Sequence, residues 1–169
     1  MKKMLLPIFT VLLSALLIAV LPTEADAGIY EDTIRIHILA NSDTDTDQEI
    51  KLLVRDRLLK EYGEIFALTE DVNGAQATLQ NALSDIEANV SAWVSEYGYS
   101  ASARLGTEWF DTREYDGFSL PAGYYLSLII ELGEGEGKNW WCVMYPPMCL
   151  DAAVGTSGYT EAESGLIMG

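Results

Sequence analysis

Ile34-Arg35-Ile36-His37-Ile38-Leu39-Ala40 runs into Asn41-Ser42-Asp43-Thr44-Asp45-Thr46-Asp47-Gln48-Glu49-Ile50, and the two halves of this stretch carry different periodicities. Ile34, Ile36, Ile38 and Ala40 alternate with Arg35, His37 and Leu39, the period of two that marks a strand with one buried face. Asn41 to Asp45 is turn chemistry, short polar side chains that bond nearby backbone. Thr46 and Glu49 form a capping box that satisfies free N–H groups of a first helical turn. Asp47 and Glu49 also complement the positive end of the helix dipole. Ile50, Leu53, Val54, Leu58 and Tyr62 continue at helical spacing, with Gly63 as the expected stop. A strand that turns directly into an amphipathic helix predicts mixed α and β structure.

The rest of the chain extends that pattern. A second helix is predicted from about Ala75 to Tyr97, with the stripe Leu79, Leu83, Ile86, Val90, Trp93, Val94 and Tyr97 and a stop at Gly98. Tyr99 to Leu105 and Glu108 to Tyr115 are candidate short strands, and Asp116-Gly117 and Pro121-Ala122-Gly123 are turn signals. Tyr124 to Leu132 is the strongest strand. Tyr124, Leu126, Leu128, Ile130 and Leu132 face one way, and Tyr125, Ser127, Ile129 and Glu131 the other. Gly133 to Lys138, with glycine at every second position, reads as a flexible hairpin connection to a returning strand, Asn139 to Tyr145. Pro146-Pro147 ends that strand, because proline cannot donate to a ladder. Strand, two helices, then strands predicts one α+β domain, a mainly antiparallel sheet with two helices packed on one face.

The first 27 residues are expected to be a signal peptide. Lys2 and Lys3 precede an apolar run from Leu5 to Leu21, and Ala25-Asp26-Ala27 offers an A-x-A cleavage site before Gly28. A retained N-terminal anchor is the alternative, since the run is at the short limit for a membrane span. No cysteine follows it, which excludes a lipoprotein anchor. The domain is then 28–150, and 151–169 is an acidic tail expected to be disordered.

The chain of 169 residues carries 10 Lys plus Arg against 26 Asp plus Glu, a net charge of −16. That balance argues against nucleic acid, whose phosphates need a basic footprint, and against electrostatic adhesion to anionic lipid. One histidine and two cysteines exclude a multi-His metal site and a four-Cys zinc site. Asp43-x-Asp45-x-Asp47 begins like a calcium loop, but Gln48 and Val54 stand where the motif needs Gly and Glu. Gly133 to Lys138 fails as a phosphate loop: Leu132 and Asn139 break the pattern and Glu134 and Glu136 repel phosphate. His37 has no Gly-x-Ser-x-Gly elbow beside it, and Asp111-Thr112 lacks the glycine of an aspartic-protease signature. Neither a cofactor nor a small-molecule substrate is expected.

Cys142 and Cys149 are the only cysteines. In an exported chain an even pair implies a disulfide, closed here over Pro146-Pro147, and loop-closure entropy gives it roughly 2–3 kcal/mol. Two reduced, buried thiols are the alternative. Trp140, Trp141, Met144, Tyr145 and Met148 cluster around this loop. Adjacent residues on a strand point to opposite faces, so Trp140 and Trp141 cannot share one core. One of them needs a further layer or a partner, which makes Trp140, Trp141 and Met148 the candidate partner surface, with Asn41 and Asp43 of the first loop ranked second.

Several blocks in order resemble one family. Ile34 to Asp43, Asp47-Gln48 and Val54-Arg55-Asp56 are similar to the opening of stage II sporulation protein R. So are Leu105-Gly106-Thr107-Glu108-Trp109-Phe110, Phe118 to Tyr125, Gly133 to Val143, and Pro146-Pro147-Met148-Cys149. The resemblance spans about residues 30–151. It implies a non-enzymatic signalling protein of endospore formers, secreted from the forespore into the space between forespore and mother-cell membranes. There it would activate the membrane-embedded aspartic protease stage II sporulation protein GA, which matures the mother-cell factor sigma E. The competing expectations are a secreted hydrolase using Cys142 and His37, and an extracytoplasmic ligand-binding or structural domain.

Overall fold

The computed structural model describes residues 9–16, 24–115 and 118–148. Residues 9–16 form a helix, α1. Then follow α2 (Glu24–Glu31), β1 (Ile34–Leu39), α3 (Asp45–Ala67), α4 (Val72–Ser95), β2 (Ala101–Phe110), β3 (Arg113–Tyr115), β4 (Phe118–Leu120), β5 (Gly123–Leu132) and β6 (Asn139–Tyr145). The expected cleavage point, between Ala27 and Gly28, falls inside α2. Among the described residues no helix is long and apolar enough to cross a membrane. The expected tail, 151–169, and the turn at Asp116-Gly117 lie outside the described residues.

The domain is α+β, as the periodicities predict. The main sheet has the order β2-β5-β1-β6; β1 runs parallel to β5, while β1–β6 and β2–β5 are antiparallel. α3 and α4 cover one face. Ile34, Ile36 and Ile38 of β1 and Leu128, Ile130 and Leu132 of β5 meet Ile50, Val54 and Leu58 of α3 and Leu79, Ile86, Val90 and Val94 of α4 in one aliphatic core. Burying each such side chain stabilises by about 1.5–3 kcal/mol. The helical stripes are those read from the sequence, except that Leu52 rather than Leu53 packs against the core, Leu83 and Trp93 are only partly buried, and Tyr97, past the end of α4, is exposed. A separate hairpin, β3–β4, lies outside this sheet.

Several expectations are corrected. α3 starts earlier than the Thr46–Glu49 box: Thr44 Oγ1 accepts from the Asp47 N–H at 3.3 Å, so Thr44 is the capping hydroxyl. Gly63 does not stop α3, which continues to Ala67. Glycine inside a helix costs about 1 kcal/mol, and the buried neighbours Leu58, Leu59 and Tyr62 supply more than that. α4 starts at Val72 because the Asp71 carboxylate accepts from the Gly74 N–H at 2.7 Å. The expected strands Tyr99–Leu105 and Glu108–Tyr115 divide differently: Ala101 to Phe110 is one ten-residue strand, β2, because β5 is equally long and pairs with it from Ala101↔Leu132 to Phe110↔Gly123, and Arg113 to Tyr115 is the separate β3.

The largest correction concerns Gly133 to Lys138. It is not a hairpin, because β5 and β6 do not pair; both flank β1. The segment is a crossover that steps over the C-terminal end of β1. Its backbone N–H groups bond the loop that follows β1: Glu134 to Asn41 Oδ1 (3.0 Å), Glu136 to the Asn41 carbonyl (3.2 Å), Gly137 to the Ala40 carbonyl (2.9 Å) and Lys138 to Asp43 Oδ1 (2.6 Å). The glycines serve this approach. Gly133 sits at φ +58°, and a Cβ there would strike the Asn41 amide; a Cβ on Gly137 would strike the Ser42 backbone.

Candidate functional site

Of the side chains of β1 that point away from α3 and α4, Arg35 is shut off from water and His37 and Leu39 are half-buried. Arg35 is fully buried, its guanidinium stacked 4.0 Å from the Phe110 ring centroid and 5.3 Å from that of Tyr125. Tyr125 meets Tyr30 of α2 edge-on at 5.1 Å. The Tyr30 hydroxyl donates to the Ala122 carbonyl (3.0 Å), and its ring occupies the space where a Cβ on Gly123 would stand. His37 packs edge-on against Phe110 and Trp141, and burial holds its imidazole below the ordinary value of 6.5. Arg113 of β3 covers Trp141 at 4.4 Å. The second face is therefore a layer of aromatic rings and cations, roofed by α2 and the β3–β4 hairpin.

This layer resolves the paired tryptophans. Trp140 is 3% exposed and belongs to the helix-side core, with Arg55 over its ring at 5.6 Å. It offers no surface to a partner in this fold. Trp141 is half-buried on the opposite face, beneath Arg113. The expected patch is thus divided by the sheet, as alternation requires.

Met148 is 41% exposed, three residues past the end of β6 and just after the cis peptide Tyr145–Pro146. It lines a cavity of about 460 Å³ with Ile29 of α2, Thr33, Leu120 of β4, Val143 of β6 and Pro146. Asp32 is the one charged residue of the lining among the described residues. A concavity of this size and apolar character accepts side chains or a small ligand rather than a metal. Among the described residues no group of three His, Cys, Asp or Glu is placed to hold a metal ion.

Asn41 and Asp43 lie at the other end of β1. Leu39 pairs with Asn139 at that end, and Ile34 pairs with Tyr145 at the Met148 end. Strand rise separates the two by roughly 17 Å. The structure therefore does not join the first and second candidate patches. Asn41 and Asp43 hold the crossover, as described, and Asn41 Nδ2 also donates to Asp47 Oδ2 at 2.9 Å. Asp47 is buried and accepts from Ser42, Asn41 and Tyr99, which together hold its carboxyl down to about 2; the same bond pushes the Tyr99 phenol up. Lys51 is fully buried, donating to Gln48 Oε1 (2.6 Å) and the Lys138 carbonyl (3.0 Å). Burial draws its ammonium from 10.5 down to about 8. Neither Lys51 nor Tyr99 stood out in the sequence. The one signal was a lysine on the apolar side of α3, next to Ile50.

The proposed Cys142–His37 pair does not assemble. Cys142 lies opposite Ile36, on the helix side, whereas His37 lies opposite Trp141 on the other side. Cys142 is disulfide-bonded, so it is not a thiolate nucleophile. Cys149 lies outside the described residues.

A family model described as stage II sporulation protein R matches residues 30–154. A relative named Stage II sporulation protein R, from Bacillus subtilis (strain 168), is 35% identical over 123 residues, which is 72% of this chain and 55% of the relative. The chain thus spans little more than half the length of that relative. No solved structure matches it.

Proposed function

The chain belongs to the stage II sporulation protein R family, and from that premise we propose that it is an exported, non-enzymatic sporulation signal. In this reading it leaves the forespore through its N-terminal leader and activates the membrane-embedded protease stage II sporulation protein GA. The protease then removes the inhibitory pro-sequence of sigma E. The observation that carries the reading is the family match across residues 30–154, nearly the whole of the folded domain. The separation of Cys142 from His37 supports it by removing the hydrolase considered as an alternative.

The contact surface we assign to the protease is the second face: Trp141 under Arg113, and the Met148 cavity. A cavity already formed loses little conformational entropy on binding, and aromatic and Met side chains supply hot-spot burial. The pairing of Cys142 with Cys149 belongs to the same reading, because it would fix the segment that carries Met148. The net charge of −16 would steer the domain toward a basic extracytoplasmic patch, more strongly at low salt. The test is co-expression of the chain, the protease and the sigma precursor in a host that has none of them. The precursor should shorten only when the leader-bearing chain is present. A full-length precursor beside exported, folded protein would contradict the reading.

A further inference from the structure

β2 is an edge strand, and the two halves of its outer edge differ. The even-numbered residues turn their backbone toward β5, as the Gly133 N–H donating to the Ser100 carbonyl at 2.8 Å shows for the residue just before the strand. The odd-numbered residues turn theirs outward. At the first two of these, α4 reaches over the edge. Ser91 Oγ donates to the Ala101 carbonyl (3.1 Å), and Glu87 Oε2 accepts from the Ala103 N–H (2.9 Å). This is edge protection by side chains. It stops there. Leu105, Thr107 and Trp109 point the same way along the strand, and no hydrogen-bond partner for their outward N–H and C=O groups is found among the described residues.

The open half adjoins an exposed aromatic pair. Trp109 and Tyr124 are register partners on β2 and β5, stacked edge-to-face at 5.2 Å and exposed by 54% and 65%. They continue the helix-side face of the sheet, carrying on from Leu105 and Leu126. Two large rings left in water beside an unpaired strand edge form the two parts of a strand-addition site: a ladder for affinity and side-chain contacts for selectivity. Carboxylates surround it. Glu87 stands at one end and Asp111, which accepts from Trp109 Nε1 at 3.3 Å, at the other; Arg104, the cation of this stretch, is paired with Glu108 and Glu131.

We propose that Leu105 to Trp109 accepts an extended, basic segment of another protein as a fifth strand of the main sheet. A second copy of this chain is a poorer occupant, because it would bring another −16 charge and the same carboxylates to the seam. This inference stands apart from the activation reading, since it rests on the open edge, the exposed aromatic pair and the carboxylates around them.

The experiment uses the purified chain and a defined probe, acetyl-Lys-Val-Thr-Val-Thr-Val-Lys-amide, with a counterpart carrying Glu in place of both Lys. Binding is followed by backbone amide NMR at low salt. The Lys peptide should shift and protect the amides of Leu105, Thr107 and Trp109, and should bind at least tenfold more tightly than the Glu peptide. Thr107→Pro removes one outward N–H and leaves the β5 ladder intact, since proline is tolerated on edge strands; it should weaken binding at least tenfold, whereas Thr107→Val should not. Trp109→Ala, at an exposed position, tests the aromatic pair if Thr107→Pro fails to fold, and should also weaken binding. Shifts confined to other residues, no saturable binding at millimolar peptide, or equal binding by wild type and both variants would overturn the proposal. So would a wild-type dimer that Thr107→Pro converts to monomer, which would assign the edge to a second copy.

Discussion

The two faces of the sheet bury comparable numbers of strand residues by different chemistry. On the helix side Ile34, Ile36, Ile38, Leu128 and Ile130 meet aliphatic side chains of α3 and α4. On the other side Arg35, His37, Tyr125, Ser127 and Trp141 meet one another beneath α2 and a two-stranded hairpin. Non-directional burial suits the first face, where any well-packed apolar shape will serve. The second depends on orientation: cation over ring and ring edge to ring face. It also carries the cavity and the exposed Met148. The first face holds the domain together, and the second presents something distinct at its surface.

The largest expected effect breaks the first face. Val90→Asp puts an unpaired carboxylate into the aliphatic core under α4, which costs several kcal/mol, a large part of the stability of a domain this size. Circular dichroism should find no cooperative melting transition. A wild-type transition would place α4 wrongly.

Arg35 probes the second face. Arg35→Ala should cost about 2–4 kcal/mol in urea unfolding, through lost packing and the lost stack on Phe110. Arg35→Met, which keeps most of the stem, should lose less than half of that. Equal losses for both would mean that the charge over the ring, rather than the packed stem, decides the site.

Two titrating side chains, His37 and Asp47, separate by pH. His37 is held below 6.5 by burial, so the unfolded chain binds its proton first and stability falls as pH drops from that value. His37→Gln should remove this slope below pH 6.5. Asp47 is held down to about 2 from 3.8, so its contribution is complete above 3.8 and fades as pH falls toward 2; Asp47→Asn should flatten that lower phase. If His37→Gln leaves the upper slope unchanged, His37 does not titrate as its burial requires.

The alternation of Ile34, Ile36 and Ile38, the stripes of both helices and the face assignments along β5 were legible in the sequence, because burial imposes a period. What each strand pairs with was not, because alternation names the face and not the neighbour. β1 therefore went unseen between β5 and β6, and Gly133 to Lys138 read as a hairpin. Alternation placed Arg35 on the face opposite the isoleucines; nothing local announced that Phe110, some 75 residues on, would cover it. Thr44 and Thr46 stand two apart in a run of cap-forming side chains, so spacing alone could not choose between them. At the candidate site, the division of Trp140 from Trp141 followed from strand geometry. The cavity did not, since Ile29, Leu120 and Met148 come from three distant segments.

The smallest expected effect on stability is the most telling for function. Met148→Ala should change stability by less than about 0.5 kcal/mol, as exposed positions do. The direct measurement is the fraction of sigma precursor cleaved in the co-expression system, at matched levels of exported protein, for Met148→Ala and Trp141→Ala against Asn41→Ala and Asp43→Ala. The account predicts that at least one of the first pair stays folded and loses most of the cleavage, while folded variants of the second pair keep it. Normal cleavage by both Met148→Ala and Trp141→Ala, with loss in a folded Asn41 or Asp43 variant, would contradict it and move the signalling surface to the far end of β1.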